Sequence, residues 1–262
     1  MAVLNLTPDS FSDGGRLQGT TAVLAAARRA LAQGADVLDL GAQSSRPGAE
    51  VVGPEEECRR LLPALALLRE HLGPGPLISI DTTQAAVAAA ALDAGADWIN
   101  DVSGGRADPG LLPLVAERGC PLVLMHSRGD STTMDALACY GDLCAEVENE
   151  LLQATEVACR AGVAPGNILW DPGLGFAKTT EHNLLLLAGL PRLGRHGFPL
   201  LVGPSRKRFI GAVLQEPRPR ARLWGTAASV CRAIAGGARV VRVHDVGPIV
   251  QTCRMADALW PR

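Results

Sequence analysis

The sequence Gly34-Ala35-Asp36-Val37-Leu38-Asp39-Leu40-Gly41 combines a glycine with a short apolar run that ends in polar residues. The same arrangement recurs at Gly95-Ala96-Asp97-Trp98-Ile99-Asn100-Asp101 and, more loosely, at 119–126 and 237–245. Such a glycine is typical of the left-handed turn that ends a helix. The short apolar run is typical of a strand buried on both faces. The repeat therefore predicts helices that alternate with parallel strands.

Eight apolar runs of this kind occur in the 262 residues, at 2–6, 37–41, 77–81, 98–102, 122–126, 168–171, 200–203 and 240–244. Amphipathic stretches of helical length separate them, the clearest at 21–33, 55–71, 84–93, 142–161 and 223–235, and 247–259 closes the chain. Eight repeats favour a closed barrel over an open sheet. The sequence thus predicts an α/β fold, a single (β/α)8 TIM barrel domain over residues 1–262 with long loops after strands 1 and 2.

Composition argues against several classes of partner. The formal net charge of −2 gives no general attraction to nucleic acid or to an anionic membrane surface. We find no apolar stretch long enough to span a bilayer and no basic-then-apolar leader, so we expect a cytoplasmic protein without a membrane partner. The seven cysteines form no C-x-x-C pair, and we expect most of them to be small buried apolar residues in a reducing compartment.

Polar residues follow the predicted strands. In parallel barrels the active site is built at the carboxyl ends of the strands and in the loops that follow them. The residues at these positions are Asn5, Asp39, Asp81, Asn100, Asp101, His126, Asp171, Ser205, Lys207, Arg242 and His244. We expect some of them, above all Asp39 and Asp101, to pair with one another and tie the barrel together. The remaining acids, amides and cations indicate a site for a small, polar, anionic ligand.

Only two lysines, Lys178 and Lys207, accompany 23 arginines. Lysine is a compact point donor whereas arginine is a broad planar fork, so a lysine retained in such a chain can indicate a position that needs the smaller group. We favour a functional role for Lys207, which lies in Ser205-Arg206-Lys207-Arg208 directly after an apolar run. For Lys178 a functional role and retention by chance are equally compatible with the sequence.

Two long loops follow the first two predicted strands. The first, 7–16, carries Phe11 among turn residues, which indicates either a lid that closes over a substrate or a ring tucked into the barrel rim. The second, 42–49, carries Arg46 between a serine pair and a Pro-Gly turn. A guanidinium there suits a phosphate, with which it can form paired hydrogen bonds, although most exposed arginines simply face water.

Seven motifs, in order along nearly the whole chain, together resemble the bacterial dihydropteroate synthases, a pterin-binding TIM-barrel family. They are Leu4-Asn5-Leu6-Thr7-Pro8-Asp9-Ser10-Phe11-Ser12-Asp13-Gly14-Gly15, Ser44-Ser45-Arg46-Pro47-Gly48, Ile80-Asp81-Thr82, Ile99-Asn100-Asp101-Val102, Asp171-Pro172-Gly173-Leu174-Gly175-Phe176, Ser205-Arg206-Lys207 and Arg242-Val243-His244-Asp245. Any one motif is weak evidence, but seven in the same order are specific.

The resemblance implies a reaction in folate biosynthesis, in which 6-hydroxymethyl-7,8-dihydropterin diphosphate and p-aminobenzoate give 7,8-dihydropteroate and pyrophosphate. It also implies roles for particular residues. Those implied to bind the pterin are Asp81, Asn100, Asp171, Lys207, Arg242, Met125 and Gly203. Those implied to be catalytic are Lys207, Asp81, Arg46 and Asp13. A Lys207 ammonium would donate to the pterin, and Arg242 would stack its plane on the pterin ring.

The resemblance further implies a diphosphate site formed by Asn5, Arg46, His244 and Arg242. It implies Mg²⁺ as the cofactor, with Asn5 and Asp13 as candidate ligands. The residues implied to line the p-aminobenzoate slot, where sulfonamides would bind as well, are Phe11, Ser45, Pro47, Phe176, Ser205 and Lys207. Family members are usually homodimers, and we expect the same here, with the two small molecules as the other partners.

The chain departs from the family pattern at Gln43, where glutamate is usual, and at Ser45, where threonine is frequent. It also begins almost on the first predicted strand, so we expect the barrel floor to be covered less or differently. One alternative is a pterin-dependent methyltransferase, which would need no diphosphate site. Another is a non-catalytic pterin-binding paralogue, which should have lost loop residues that this chain retains.

Overall fold

The computed structural model describes residues 1–6, 16–43 and 52–260. Eight parallel β-strands occur in this part of the chain: β1 (Ala2–Asn5), β2 (Val37–Gly41), β3 (Leu77–Asp81), β4 (Trp98–Asp101), β5 (Leu122–Met125), β6 (Ile168–Asp171), β7 (Leu200–Val202) and β8 (Ala238–Val241). The first seven match the predicted runs to within one residue. The predicted long loops fall on 7–15 and 44–51, outside the described residues.

Helices alternate with the strands. Within the described ranges they are α1 (Arg16–Ala32), α2 (Pro54–Leu72), α3 (Ala85–Asp93), α4 (Leu111–Arg118), α5 (Leu143–Arg160), α6 (Thr180–Gly194), α7 (Arg208–Leu214), α8 (Leu223–Ala235) and α9 (Val246–Leu259). The six predicted helical stretches correspond to α1, α2, α3, α5, α8 and α9. The sequence hides α4 and α7 because they are short, and α6 contains Pro191, which usually ends a helix.

The strands pair in sequence order from β1 to β8. The two ends of this sheet are joined through the segment after β8, because the Val3 N–H donates to the Val243 carbonyl over 2.9 Å and the Val243 N–H donates to the Met1 carbonyl over 3.0 Å. The arrangement is TIM-barrel-like. It places all carboxyl strand ends on one face.

The last strand begins two residues earlier than the apolar run predicted. The register between β7 and β8 shifts between Leu200 and Leu201, which pair with Ala238 and Val240. Arg239 is therefore the extra residue of a bulge, and its side chain is exposed. Pairing with β7, rather than the apolar character of 240–244, fixes where this strand starts and ends.

The main hydrophobic core lies between the sheet and the helices. Its largest fully buried side chain is Trp170 in β6, whose indole Nε1 donates to the Thr155 hydroxyl of α5 over 2.8 Å. The Trp170 ring also stacks on Phe198 with the ring centroids 4.8 Å apart. The hydrogen bond satisfies a polar atom that would otherwise be stranded in the core. No helix of the described residues is long and apolar enough to cross a membrane.

Candidate active site

Neighbouring strand ends place the predicted pterin residues side by side. Asp81 at the end of β3 is the register partner of Asn100 in β4. Met125 at the end of β5 is likewise the partner of Asp171 at the end of β6. Asn100, Met125 and Asp171 are buried, and Asp81 is half-buried. These four residues thus form one continuous stretch of the carboxyl face.

Arg242, which follows β8, bridges two acids from the opposite side of the sheet. Its Nε donates to Asp39 Oδ2 over 2.6 Å and its Nη2 donates to Asp81 Oδ2 over 2.7 Å. Asp39 is fully buried, so this ion pair ties β2 and β3 to the end of β8. Burial raises the pKa of Asp81 to about 7, against the opposing effect of Arg242. A Cβ built on Gly203 would lie 3.7 Å from the Arg242 Cβ, so Gly203 adjoins this group.

Asp101 does not pair with another strand-end side chain as expected. Its carboxylate accepts the backbone N–H groups of Ser103 over 2.7 Å and of Gly105 over 2.5 Å. The chain turns tightly after β4 and brings these donors within reach, so Asp101 shapes its own loop. The expectation of a tie across the barrel is therefore wrong for Asp101 and right for Asp39.

Lys207 and Asp171 place opposite charges in the same buried region. Burial lowers the pKa of Lys207 to about 8, and Asp171 opposes this shift. Burial raises the pKa of Asp171, and Lys207 opposes that shift in turn. The Lys207 Nζ donates to the Leu174 carbonyl and lies 4.7 Å from the centroid of the Phe176 ring. A donor, an acceptor and an aromatic face are thus available to one ligand.

Arg222 holds the segment that carries Lys207, and sequence reasoning missed it. This buried guanidinium donates to four main-chain carbonyls, those of Arg206 at 3.0 Å, Lys207 at 3.3 Å, Glu216 at 2.9 Å and Pro217 at 2.8 Å. The sequence signal was weak, because Arg222 is one of several arginines in an ordinary surface-like stretch. Its partners become neighbours only once α7 folds back towards α8.

The ends of β7 and β8 are joined by side chains of the predicted diphosphate and p-aminobenzoate sites. The Ser205 Oγ lies 2.9 Å from His244 Nδ1 and also accepts the His244 N–H over 3.2 Å. Arg206 adopts φ of 61° and forms two hydrogen bonds to Asp245, of 2.9 and 2.5 Å. These contacts fix Ser205 and His244 relative to each other.

Lys178 and His126 form a buried group next to Asp171. The Lys178 Nζ is 2.8 Å from His126 Nδ1 and donates to the Phe176 carbonyl over 3.0 Å. His126 Nε2 is 3.0 Å from Glu150 Oε2. Glu150 carried no signal in the sequence because it lies on the amphipathic helix α5.

The remaining predicted site residues divide into two groups. Asn5 lies at the end of β1 and is half-buried. Five others fall in 7–15 and 44–51, outside the described residues, and these are Phe11, Asp13, Ser45, Arg46 and Pro47. Gln43 is half-buried at the edge of the second of these segments.

The chain is similar to known proteins over nearly its whole length. The family described as pterin binding enzyme matches residues 1–244. A dihydropteroate synthase of Synechocystis is 51% identical over 260 residues, which cover 99% of this chain and 89% of that protein.

Two solved structures resemble the whole chain. A dihydropteroate synthase from Clostridium difficile, in the presence of pteroic acid, is 37% identical with a TM-score of 0.94 and covers 100% of this chain and 96% of its own. The Xanthomonas albilineans dihydropteroate synthase with 4-aminobenzoic acid is 41% identical with a TM-score of 0.92 and covers 100% and 93%. The chain therefore belongs to the pterin-binding enzyme family.

Proposed function

We propose that this chain is a dihydropteroate synthase that joins 6-hydroxymethyl-7,8-dihydropterin diphosphate to p-aminobenzoate. The observation that carries the proposal is the juxtaposition of buried Asp171 with Lys207, in a chain similar over its full length to enzymes of that name. A pterin edge presents an amino group and a ring N–H side by side. A carboxylate can accept both, so Asp171 is assigned to that edge.

The other pterin contacts follow from hydrogen-bonding capacity. Asn100 can both donate and accept at neighbouring ring positions, and Asp81 can accept a ring N–H. Lys207 uses one N–H on the Leu174 carbonyl, which leaves two for the pterin carbonyl and N5. The ion pairs of Arg242 fix the plane of its guanidinium, and a fixed plane suits stacking on the ring. Met125 and Gly203 are assigned to the walls of the same site.

The diphosphate is assigned to Asn5, His244, Arg46 and Arg242. Among the described residues no group of three or more His, Cys, Asp or Glu side chains could hold a metal ion. The Asn5 amide oxygen is a ligand type that Mg²⁺ accepts, and this ion commonly keeps few protein ligands and binds phosphate oxygens. Asn5 and Asp13 are therefore the residues we assign to Mg²⁺. When bound, the ion would stabilise the charge that develops on the diphosphate.

The reaction needs positioning more than a strong base. The bond between the pterin methylene carbon and the diphosphate oxygen breaks, and its electron pair leaves with the diphosphate. The neutral amine of p-aminobenzoate forms the new bond to that carbon and then loses one proton. Arg46 and His244 would stabilise the departing charge, and exclusion of water would protect the pterin-stabilised cation that loss of the diphosphate leaves.

The slot for p-aminobenzoate is assigned to Phe176, Ser205 and Lys207 together with Phe11, Ser45 and Pro47. Sulfonamides, which mimic this substrate, are expected to compete for the slot. We further propose a single, closed (β/α)8 domain over residues 1–262 in which 7–15 and 44–51 are long active-site loops. A cytoplasmic homodimer completes the proposal.

The test is Mg²⁺-dependent release of pyrophosphate from the dihydropterin diphosphate, measured with and without p-aminobenzoate alongside dihydropteroate formation. We expect wild-type release to require p-aminobenzoate. Lys207→Ala should lower kcat/KM by about 10–10²-fold, because it removes a charged hydrogen-bond donor to the pterin. Arg208→Ala is the matched control, because Arg208 is the neighbouring cation, is exposed and pairs with the exposed Asp135. Pterin binding without dihydropteroate formation would refute the assignment.

A further inference from the structure

The loop between β6 and α6, residues 172–178, is held by both lysines of the chain. Lys207 donates to the Leu174 carbonyl, and Lys178 donates to the Phe176 carbonyl two residues later. Lys207 belongs to the proposed catalytic group, but nothing in the proposed reaction uses Lys178. Its side chain is nevertheless one of the most buried cations in the structure, at 7% exposure.

The backbone of this loop needs external support. Gly173, Gly175 and Ala177 adopt positive φ angles of 70°, 77° and 48°, and the last of these is unusual for a residue with a Cβ. Three side chains donate to carbonyls of the loop: Lys207 to Leu174, Lys178 at the end of the loop to Phe176, and the Tyr140 hydroxyl to Ala177 over 3.0 Å. The loop conformation therefore depends on Lys178 itself and on Lys207 and Tyr140, which are distant in sequence.

The second contact of Lys178 is with a neutral imidazole. Burial lowers the pKa of His126 to about 4, so its Nδ1 can accept a hydrogen bond at neutral pH. The His126 Nε2 faces Glu150, which is itself paired with Arg128. Burial also lowers the pKa of Lys178 to about 7, and the nearby charge of Asp171 opposes this shift.

The shape of this site explains why arginine does not replace Lys178. Both acceptors, the Phe176 carbonyl and His126 Nδ1, lie within 3.0 Å of one nitrogen atom. A single ammonium can serve two acceptors that converge on one point, whereas the donors of a guanidinium are spread across a plane. A Cβ on Gly173 would already lie 1.8 Å from the His126 carbonyl oxygen, so the surroundings leave little room for a larger group.

We propose that Lys178 is a positioning residue that sets the p-aminobenzoate slot, by holding the carbonyl of Phe176 so that the Phe176 ring faces Lys207. The inference rests on the proposed function, because the slot is assigned through it. Lys178 acts on the second substrate through Phe176 and touches neither substrate. Its role is thus distinct from that of Asp171, which binds the pterin directly.

The experiment compares one kinetic constant and one binding constant in Lys178→Met and Lys178→Arg. We expect the KM for p-aminobenzoate to rise about tenfold or more, the size of a lost hydrogen bond to a charged group. The Kd for the dihydropterin diphosphate, measured without p-aminobenzoate, should change less than threefold. An equal weakening of both substrates, or no change in either, would overturn the proposal. Arg160→Met, which removes an exposed cation from α5, is the control.

A second measurement does not depend on catalysis. The amides of Gly173, Gly175 and Phe176 are hydrogen-bonded to acceptors within or next to the loop, so their exchange with solvent reports its order. Exchange of a peptide spanning 172–178 should accelerate in Lys178→Met and in the milder Tyr140→Phe variant, while peptides from α2 stay unchanged. Unchanged exchange in the loop would refute the positioning role.

These readouts separate the two proposals. Suppose that the wild-type protein makes no dihydropteroate while Lys178→Met still accelerates exchange in the loop. That result would refute the proposed function and the assignment of the slot to p-aminobenzoate. It would leave intact the inference that Lys178 supports the loop. A wild-type enzyme with full activity, in which Lys178→Met changes neither the KM for p-aminobenzoate nor the loop exchange, would defeat only the inference.

Discussion

Replacing Arg242 by methionine removes the cation that pairs with both Asp39 and Asp81. The Asp39 carboxylate is fully buried, and its Oδ1 has no hydrogen-bond partner among residues 1–6, 16–43 and 52–260. The substitution would leave this charge without its cationic partner while the volume of the side chain is largely retained. Breaking a buried ion pair by removing one partner costs about 3–5 kcal/mol. Arg242 is 21% exposed, so we expect a loss near 3 kcal/mol at neutral pH, at the lower end of that range.

The loss should depend on pH through Asp81. Its folded pKa of about 7 lies above the unfolded value, so protonated Asp81 stabilises the fold below about pH 4 and this contribution is lost as pH rises through 7. Arg242 lowers the pKa of Asp81, so its removal raises that pKa further. Each unit of increase costs about 1.4 kcal/mol once the group is ionised. The deficit of the variant should therefore be larger at pH 8.5 than at pH 6.

Urea unfolding followed by far-ultraviolet circular dichroism at both pH values measures this deficit. Arg239→Met is the matched control, since Arg239 lies three residues earlier and its side chain is exposed. Combining Arg242→Met with Asp39→Asn should recover part of the loss, because the stranded charge is then absent. A deficit below about 1 kcal/mol at pH 8.5, or an equal deficit at both pH values, would refute the reasoning.

Two further substitutions test the packing beneath the site. Gly173→Ala should destabilise the protein by more than about 2 kcal/mol in urea unfolding and abolish turnover, because the new Cβ meets the His126 carbonyl oxygen at a positive φ. Gly75→Ala, with no atom within 4 Å of the new Cβ, should be neutral or stabilising by about 0.5 kcal/mol, and similar losses for both would contradict this. Trp170→Phe should cost about 1–3 kcal/mol by calorimetry, through the lost volume and the lost bond to Thr155, and an unchanged melting temperature would contradict it.

Most of the strands could be predicted because they are largely buried on both faces, as β2, β5, β6 and β7 are throughout, and so form short apolar runs. The apolar run at 240–244 gave the wrong start for β8. A bulge at Arg239 shifts the pairing with β7, and no local pattern encodes the register of a partner strand. The helices α4 and α7 were not predicted, for another reason. Each is shorter than the stretch of about 11–18 residues over which a helical pattern of apolar residues can be recognised.

Residues of the candidate site could be predicted where they belong to a sequence motif. They could not be predicted where their role depends on partners that are distant in sequence. Asp81, Asn100 and Asp171 lie at the carboxyl ends of β3, β4 and β6, so the parallel topology alone places them on the same face of the sheet. Arg222 and Glu150 gave no sequence signal, because an arginine near a loop and a glutamate on an amphipathic helix usually face water. The contacts of Arg222 with the Lys207 segment span 15 and 16 residues, and the contact of Glu150 with Arg128 spans 22.

The scarcity of lysine has a practical consequence for chemical labelling. Acylating reagents attack neutral amines, and a lysine with a lowered pKa offers more neutral amine near physiological pH. Burial lowers the pKa of both lysines, but Lys207 is half-buried whereas Lys178 is enclosed. A lysine-directed probe would therefore modify Lys207 at the centre of the site. In most proteins the same probe would instead react with many lysines on the surface. Covalent inhibitors built on a p-aminobenzoate scaffold could exploit that selectivity.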